Sequence, residues 1–459
     1  MTDEAEKQPK ENEGRTAAEA GSPISPLTDT DFMREKIKQR PINRGKLFRR
    51  TVLTVSLAIV FGLVACLTFL LLEPVFNRAL NPEPAATPNP VVFPEEHVDE
   101  EVPPEDLIAD DAEMQRGEDQ NVMDVIDNYV FDVSDYNEMY ASLRAIATEA
   151  EKSMVTVTGT KAGADWWGGQ LETDGTASGL VVADNGYSLL VLTDFTAVQN
   201  TESVHVTFRQ GDTVPASLLS HDARTGLCVL SVSHKELPEG ITDNTQIAML
   251  GSSLSAQLPG SPVIAIGAPA GTPNTIVYGM ITGNGRTLNL SDANFTLLTT
   301  DIASLSASGG VLINTNGDVL GIFTPTLTAG VRDSGDSQLS AYGISSVRKL
   351  IEQLSNRKQP AYLGVYGTEV PADIRESEDI PQGAYITRIA TDSPAMDCGI
   401  QSGDVIVRIG TTDITSYASY TDAVSELSPD ETVAITLMRL GPDGYTEMEL
   451  EAVLTDIPE

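Results

Sequence analysis

Two short apolar runs, Val311-Leu312-Ile313 and Val319-Leu320-Gly321-Ile322-Phe323, are separated by Asn314-Thr315-Asn316-Gly317-Asp318. Runs rich in β-branched residues favour strands, and Asn-Gly supplies the positive-φ positions of a hairpin turn. The stretch is thereby confined to antiparallel β structure. Just ahead of it, Ser308-Gly309-Gly310 sets a serine on a loop relaxed by glycines. Similar runs recur at 153–160, 178–182, 188–192, 203–208, 228–232, 262–266, 276–281 and 296–300, with a further tight turn signalled by Asp184-Asn185-Gly186. Many short strands at close spacing, punctuated by Gly and Pro, predict antiparallel barrels or sandwiches. Helices are predicted at 141–152 and 346–354, the second carrying Val347, Leu350, Ile351 and Leu354 on one face.

The N-terminal part is of a different kind. Residues 1–32 are polar with almost no large apolar groups, which reads as disorder, and a basic cluster follows from Arg34 to Arg50. It abuts an uncharged stretch, residues 52–72, which as a helix covers roughly 30 Å of hydrocarbon. The charge bias places residues 1–50 in the cytoplasm, a transmembrane helix at 51–73 and the remainder outside, a single-pass protein of the cell membrane. A cleaved signal peptide is the alternative; the long polar prelude and the lack of a clear small-x-small site favour an uncleaved anchor. Residues 74–138 are Pro-rich and then acidic, and are expected to form an extended, self-repelling linker.

Charge narrows the partners. A formal net charge of −37 argues against phosphate-backbone binding, so no nucleic acid is expected. Cys66, Cys228 and Cys398 are far apart and match no ligand spacing, so neither a metal nor a cofactor is expected. The four histidines are His97, His205, His221 and His234.

Several segments, in order, resemble the HtrA/DegP group of trypsin-like serine proteases. Ser178-Gly179-Leu180-Val181-Val182 with Asn185-Gly186 is similar to its early strand pair, and Val263 through Gly271 to its "AIGNPFG" segment. Gly279-Met280-Ile281-Thr282 resembles "GIVS", Thr300-Asp301 with Ser308-Gly309-Gly310 resembles "TDAAINPGNSGG", and Asn316 through Ile322 resembles "NGEVIGI". A later block, with Tyr362-Leu363-Gly364-Val365, Ser393-Pro394-Ala395 and Gly403-Asp404, resembles a PDZ domain. The resemblance implies a mainly β chain: a trypsin-like double β-barrel at 139–356, then a PDZ domain at 360–456, often assembled as a homotrimer.

A serine hydroxyl needs a general base, a group orienting that base and an oxyanion hole. The resemblance puts Ser308 at the nucleophile position. The family's "LTNNHVV" histidine corresponds to Thr196 (or Phe195 with a register slip of one), and the aspartate of "TDLAVL" corresponds to Gly226. The oxyanion loop is Ser306-Ala307-Ser308, without the family's glycine. His205 is read as facing solvent, and His221 and His234 as lying on loops. Asp194 and Asp222 are too weak as bases to replace imidazole. The chain thus reads as a pseudoprotease, with an active endopeptidase using a non-standard base as the alternative. The PDZ block is expected to bind protein or peptide C-termini, with the barrel a candidate site for unfolded chains. The amides of Leu363, Gly364 and Val365 beside Tyr362 would hold a terminal carboxylate. Ala423, Val424 and Leu427 are expected either to line its apolar pocket or simply to be core.

Overall fold

The computed structural model describes residues 44–80, 88–94, 96, 132–161, 172–305, 309–333 and 337–458. Helix α1, Arg44–Leu80, stands as its own unit. Its segment Phe48–Thr68 spans 21 residues at a mean hydropathy of 2.3, long and apolar enough to cross a membrane.

The second unit begins with residues 88–94 and helix α2, Val133–Ala150. The expected helix at 141–152 starts earlier because Asp132 and Asp135 form a capping box. Asp132 accepts from the Ser134 and Asp135 amides, and Asp135 accepts from the Asp132 amide. The helix therefore reaches into what the sequence reads as linker.

Two barrels follow. The first contains β1 Met154–Lys161, β2 Glu172–Asp184, β3 Ser188–Asp194, β4 Ser203–Thr207, β5 Thr213–Asp222 and β6 Leu227–Ser233, closed in the order β1-β2-β3-β6-β5-β4. The second contains β7 Pro262–Ala268, β8 Thr275–Leu290, β9 Ala293–Ala303, β10 Gly309–Ile313, β11 Val319–Phe323 and β12 Gln338–Gly343, closed as β10-β11-β12-β9-β8-β7. The period of two explains why some strands are continuously apolar. On β6, Cys228, Leu230 and Val232 fill the first barrel, while Leu227 and Val229 join the core between barrels. On β10, Leu312 fills the second barrel, while Val311 and Ile313 face that shared core. A strand buried on both faces cannot alternate with polar residues. The β10–β11 pairing confirms the predicted hairpin, with Val311 opposite Ile322 and Gly317 at φ +92° in its turn.

Helix α3, Pro325–Asp333, lies between β11 and β12, and helix α4, Ile344–Ser355, buries Val347, Leu350, Ile351 and Leu354 as its periodicity predicts. The third body is a sheet of β13 Val365–Thr368, β14 Ala384–Ile389, β15 Val405–Ile409, β16 Thr412–Asp413, β17 Thr432–Gly441 and β18 Gly444–Val453, with helix α5, Tyr417–Glu426, packed on it.

One stretch of the predicted linker is not a free spacer. Val91 is 8% exposed, and its amide and carbonyl pair with the Asn356 side chain at 2.8 and 2.7 Å. Glu96 pairs with Arg348 at 3.1 Å. The apolar Val91 and Phe93 dock on the core, overriding the polar composition of their surroundings. Residues 97–131, the most acidic part, lie outside the described residues. Asn356→Ala removes both bonds to Val91, and should cost about 1–3 kcal/mol and speed proteolytic cleavage within residues 88–96. Limited proteolysis followed by mass spectrometry reads this; an unchanged cleavage rate would show that Asn356 does not hold the segment.

Candidate active and peptide-binding sites

The fold brings the Thr196 and Gly226 positions together. Thr196 sits in a short 3-10 turn, Phe195–Ala197, directly after β3, and Gly226 sits in the β5–β6 connection. The Phe195 amide donates to the Gly226 carbonyl at 2.7 Å. Ser306, Ala307 and Ser308 lie outside the described residues; the chain resumes with Gly309 and Gly310 at the start of β10.

The Asp194 carboxylate at this junction is committed to its neighbours. Asp194 is 2% exposed; it accepts the Thr196 amide at 2.8 Å and the Thr196 hydroxyl, and its other oxygen accepts the Thr326 amide at 3.0 Å. A threonine hydroxyl donating to a carboxylate has no basicity to offer a nucleophile at neutral pH. Gly226 has φ +70°, and a Cβ there would lie 2.8 Å from Thr326 Cγ2. The Thr326 side chain, from α3, thus stands where a side chain at position 226 would begin. Nothing in the sequence signalled this contact, because Thr326 lies far along the chain.

The histidine placements differ in part from the sequence reading. His221 is on strand β5, not a loop, and stacks flat on Phe195 with ring centroids 4.1 Å apart. His234 lies in a 3-10 turn with Nε2 3.1 Å from Asp184. His205 is on β4, opposite Thr158 and Pro215, and half-buried. Burial, and then the Asp194 charge, push the Cys228 thiol well above its ordinary pKa, so this buried cysteine is not an alternative nucleophile.

The carboxylate-binding loop is formed and filled. The amides of Leu363 and Gly364 donate to Asp292 Oδ2 at 2.8 and 2.7 Å, and that of Val365 to Asp292 Oδ1 at 3.0 Å. Gly364 has φ +91°, and a Cβ would meet the Ser393 side chain at 2.3 Å, so the loop requires glycine. Tyr362 is buried and pairs through its main chain with Thr455. A cavity of about 710 Å³ runs along α5 beside the loop, lined by Tyr417, Thr421, Val424 and Ser425 on one side and by Asn289 and Asp292 on the other. Val424 belongs to the core of the sheet and also lines the cavity, and Ala423 and Leu427 pack against that core. No cluster of His, Cys, Asp and Glu able to hold a metal occurs among the described residues.

A double six-stranded barrel followed by a sheet with a carboxylate-holding loop defines a trypsin-like peptidase domain joined to a PDZ domain. Family profiles agree: the trypsin-like peptidase domain matches residues 177–322 and the PDZ domain residues 346–450. The chain is HtrA/DegP-like. It is 28% identical to Serine protease HTRA1 of Xenopus tropicalis over 271 residues, which are 54% of either chain. It is 30% identical to a probable periplasmic serine endoprotease DegP-like protein of Marinomonas sp. over 282 residues, 60% of this chain and 56% of the relative. The chain thus spans about half the length of the curated relatives it matches. Among solved structures, the serine endoprotease from Yersinia pestis matches at 23% identity and a TM-score of 0.45, covering 69% of this chain and 98% of that one.

Gly226→Ala places a Cβ against Thr326 and forces a non-glycine residue into the left-handed region, which alone costs about 1–2 kcal/mol. Urea unfolding should show at least that loss. An unchanged midpoint would mean that the Thr326 contact does not close the position.

Proposed function

We propose that this chain is a membrane-anchored HtrA-like serine protease homologue whose PDZ domain binds C-terminal tails and whose barrels have lost proficient proteolysis. In this reading residues 1–50 are cytoplasmic, 51–73 span the membrane, 74–138 form a partly docked linker, and a peptidase unit at 139–356 and a PDZ unit at 360–456 work outside as an adaptor, sensor or quality-control factor, assembled as a homotrimer. The observation that carries it is the junction of positions 196 and 226. Threonine and glycine meet there, the buried Asp194 beside them is satisfied by Thr196 and Thr326, and Thr326 crowds position 226. Loss of such partners in a serine triad lowers kcat by about 10⁴- to 10⁶-fold.

One observation favours a second reading, an active endopeptidase: the His221 imidazole stacked on Phe195, one residue from the expected base. The two readings separate in one assay. The purified protein, Ser308→Ala and His221→Gln are incubated with unfolded casein and a fluorophosphonate probe. The pseudoprotease reading expects no Ser308-dependent cleavage or labelling. Cleavage lost in both Ser308→Ala and His221→Gln would overturn it and establish the enzyme.

A further inference from the structure

The carboxylate loop of the PDZ domain is occupied by the chain itself. β8 and β9 are joined by Ser291-Asp292, with Leu290 opposite Ala293 and Asp292 at φ +58°. Aspartate tolerates this conformation better than most residues. The turn is not a solvent-facing hairpin tip: Asp292 is 3% exposed. Besides the three loop amides, Asp292 Oδ1 accepts the Tyr420 hydroxyl of α5 at 2.6 Å. Its own amide donates to the Val365 carbonyl at 2.7 Å. Asn289 and Asn294 both donate to the Gly367 carbonyl, at 2.7 and 3.2 Å.

These groups match what a bound chain end would use. A C-terminal residue that extends the sheet offers its carboxylate to the loop amides and its own N–H to the first strand carbonyl, and pairing then continues along alternate residues of that strand. Asp292 supplies the carboxylate from its side chain and the N–H from its main chain, and the asparagines take the next outward carbonyl, Gly367. The turn is in addition braced from behind. Arg224 donates to the Ser291 carbonyl at 2.8 Å while paired with the buried Asp222 at 3.1 Å.

We infer that Asp292 is a built-in surrogate ligand, a latch that holds the PDZ carboxylate loop on the second barrel and that a free C-terminal α-carboxylate must displace to bind. The inference rests on the proposed peptide-binding role of the loop. An internal ligand competes at an effective concentration in the millimolar range or above. The affinity for an external tail is reduced by the fraction of molecules with the loop open. Occupation of the groove and undocking of the PDZ domain from the barrel are consequently the same event. An amidated or internal peptide, without the α-carboxylate, lacks the charge that replaces Asp292 on the loop amides.

The test uses the full chain in detergent micelles, as wild type, Asp292→Asn and Asn289→Ala, the last leaving every loop and carboxylate group in place. The probe is an array of heptapeptides with randomised final three residues and a free carboxylate, beside the same array amidated. Hydrogen exchange over residues 363–365 is measured in parallel without peptide. Asp292→Asn should raise carboxylate-dependent binding by about tenfold or more, Asn289→Ala should raise it less, and both should speed exchange at the three amides. Wild-type binding as tight as that of Asp292→Asn, with unchanged exchange, overturns the latch and leaves the peptide-binding role standing. Faster exchange in Asp292→Asn with no binding to either array supports the latch and removes the peptide-binding role instead.

Discussion

A carboxylate buried away from water must be met by donors, and Asp292 is met by four: three main-chain amides and a phenol. The arrangement of the second barrel and the PDZ domain follows from that requirement. Burial, and then Asp292 itself, raise the Tyr420 phenol well above its ordinary pKa, so it remains a donor throughout the physiological range. Burial opposes the charge of Arg224, but Asp222 foremost, together with Asp292 and Tyr420, holds the guanidinium above its ordinary pKa. Fixed in this way, Arg224 anchors the Ser291 carbonyl and with it the turn that presents Asp292. At the far end of α5, Gln353 donates to the Ser425 carbonyl at 2.8 Å, and exposed Lys349 lies 3.0 Å from Asp422, a contact of small energetic consequence.

The barrels answer to a different constraint. Their strands are held by side chains on both faces, the closed interiors and the shared inter-barrel core, and none of that packing depends on a catalytic group. Fold and site are separately specified, so this packing is compatible with more than one set of side chains at the junction. Asp194 tethers the Thr196 turn to the N-terminus of α3, and α3 in turn brings Thr326 against Gly226.

Much of this was legible in the residues. The hairpin at Asn316-Gly317, the amphipathic α4 and the chain of short β runs are local patterns, set by turn chemistry and period. Gly364 and its neighbours also declared a carboxylate loop. What stayed hidden is long-range. No local signal says that Asp292 reaches residues 363–365, that Thr326 fills the space at Gly226, or that His221 stacks on Phe195. Proline and acidic residues around Val91 and Phe93 concealed two apolar side chains that dock. The early start of α2 was an available signal, since Asp132 and Asp135 spell a capping box. Helix periodicity on α5 could not separate groove from core: Val424 is a core residue that also lines the cavity, and Ala423 and Leu427 pack against the same core.

The Asp292 carboxylate joins the second barrel to the PDZ domain. A double-mutant cycle on the unfolding free energy, with Asp292→Asn, Tyr420→Phe and the pair, isolates the Asp292–Tyr420 bond between the hairpin and α5. Hydrogen bonds to charged groups contribute about 1.5–3 kcal/mol, so a coupling of that size is predicted. Additivity of the two substitutions to within about 0.5 kcal/mol would contradict it.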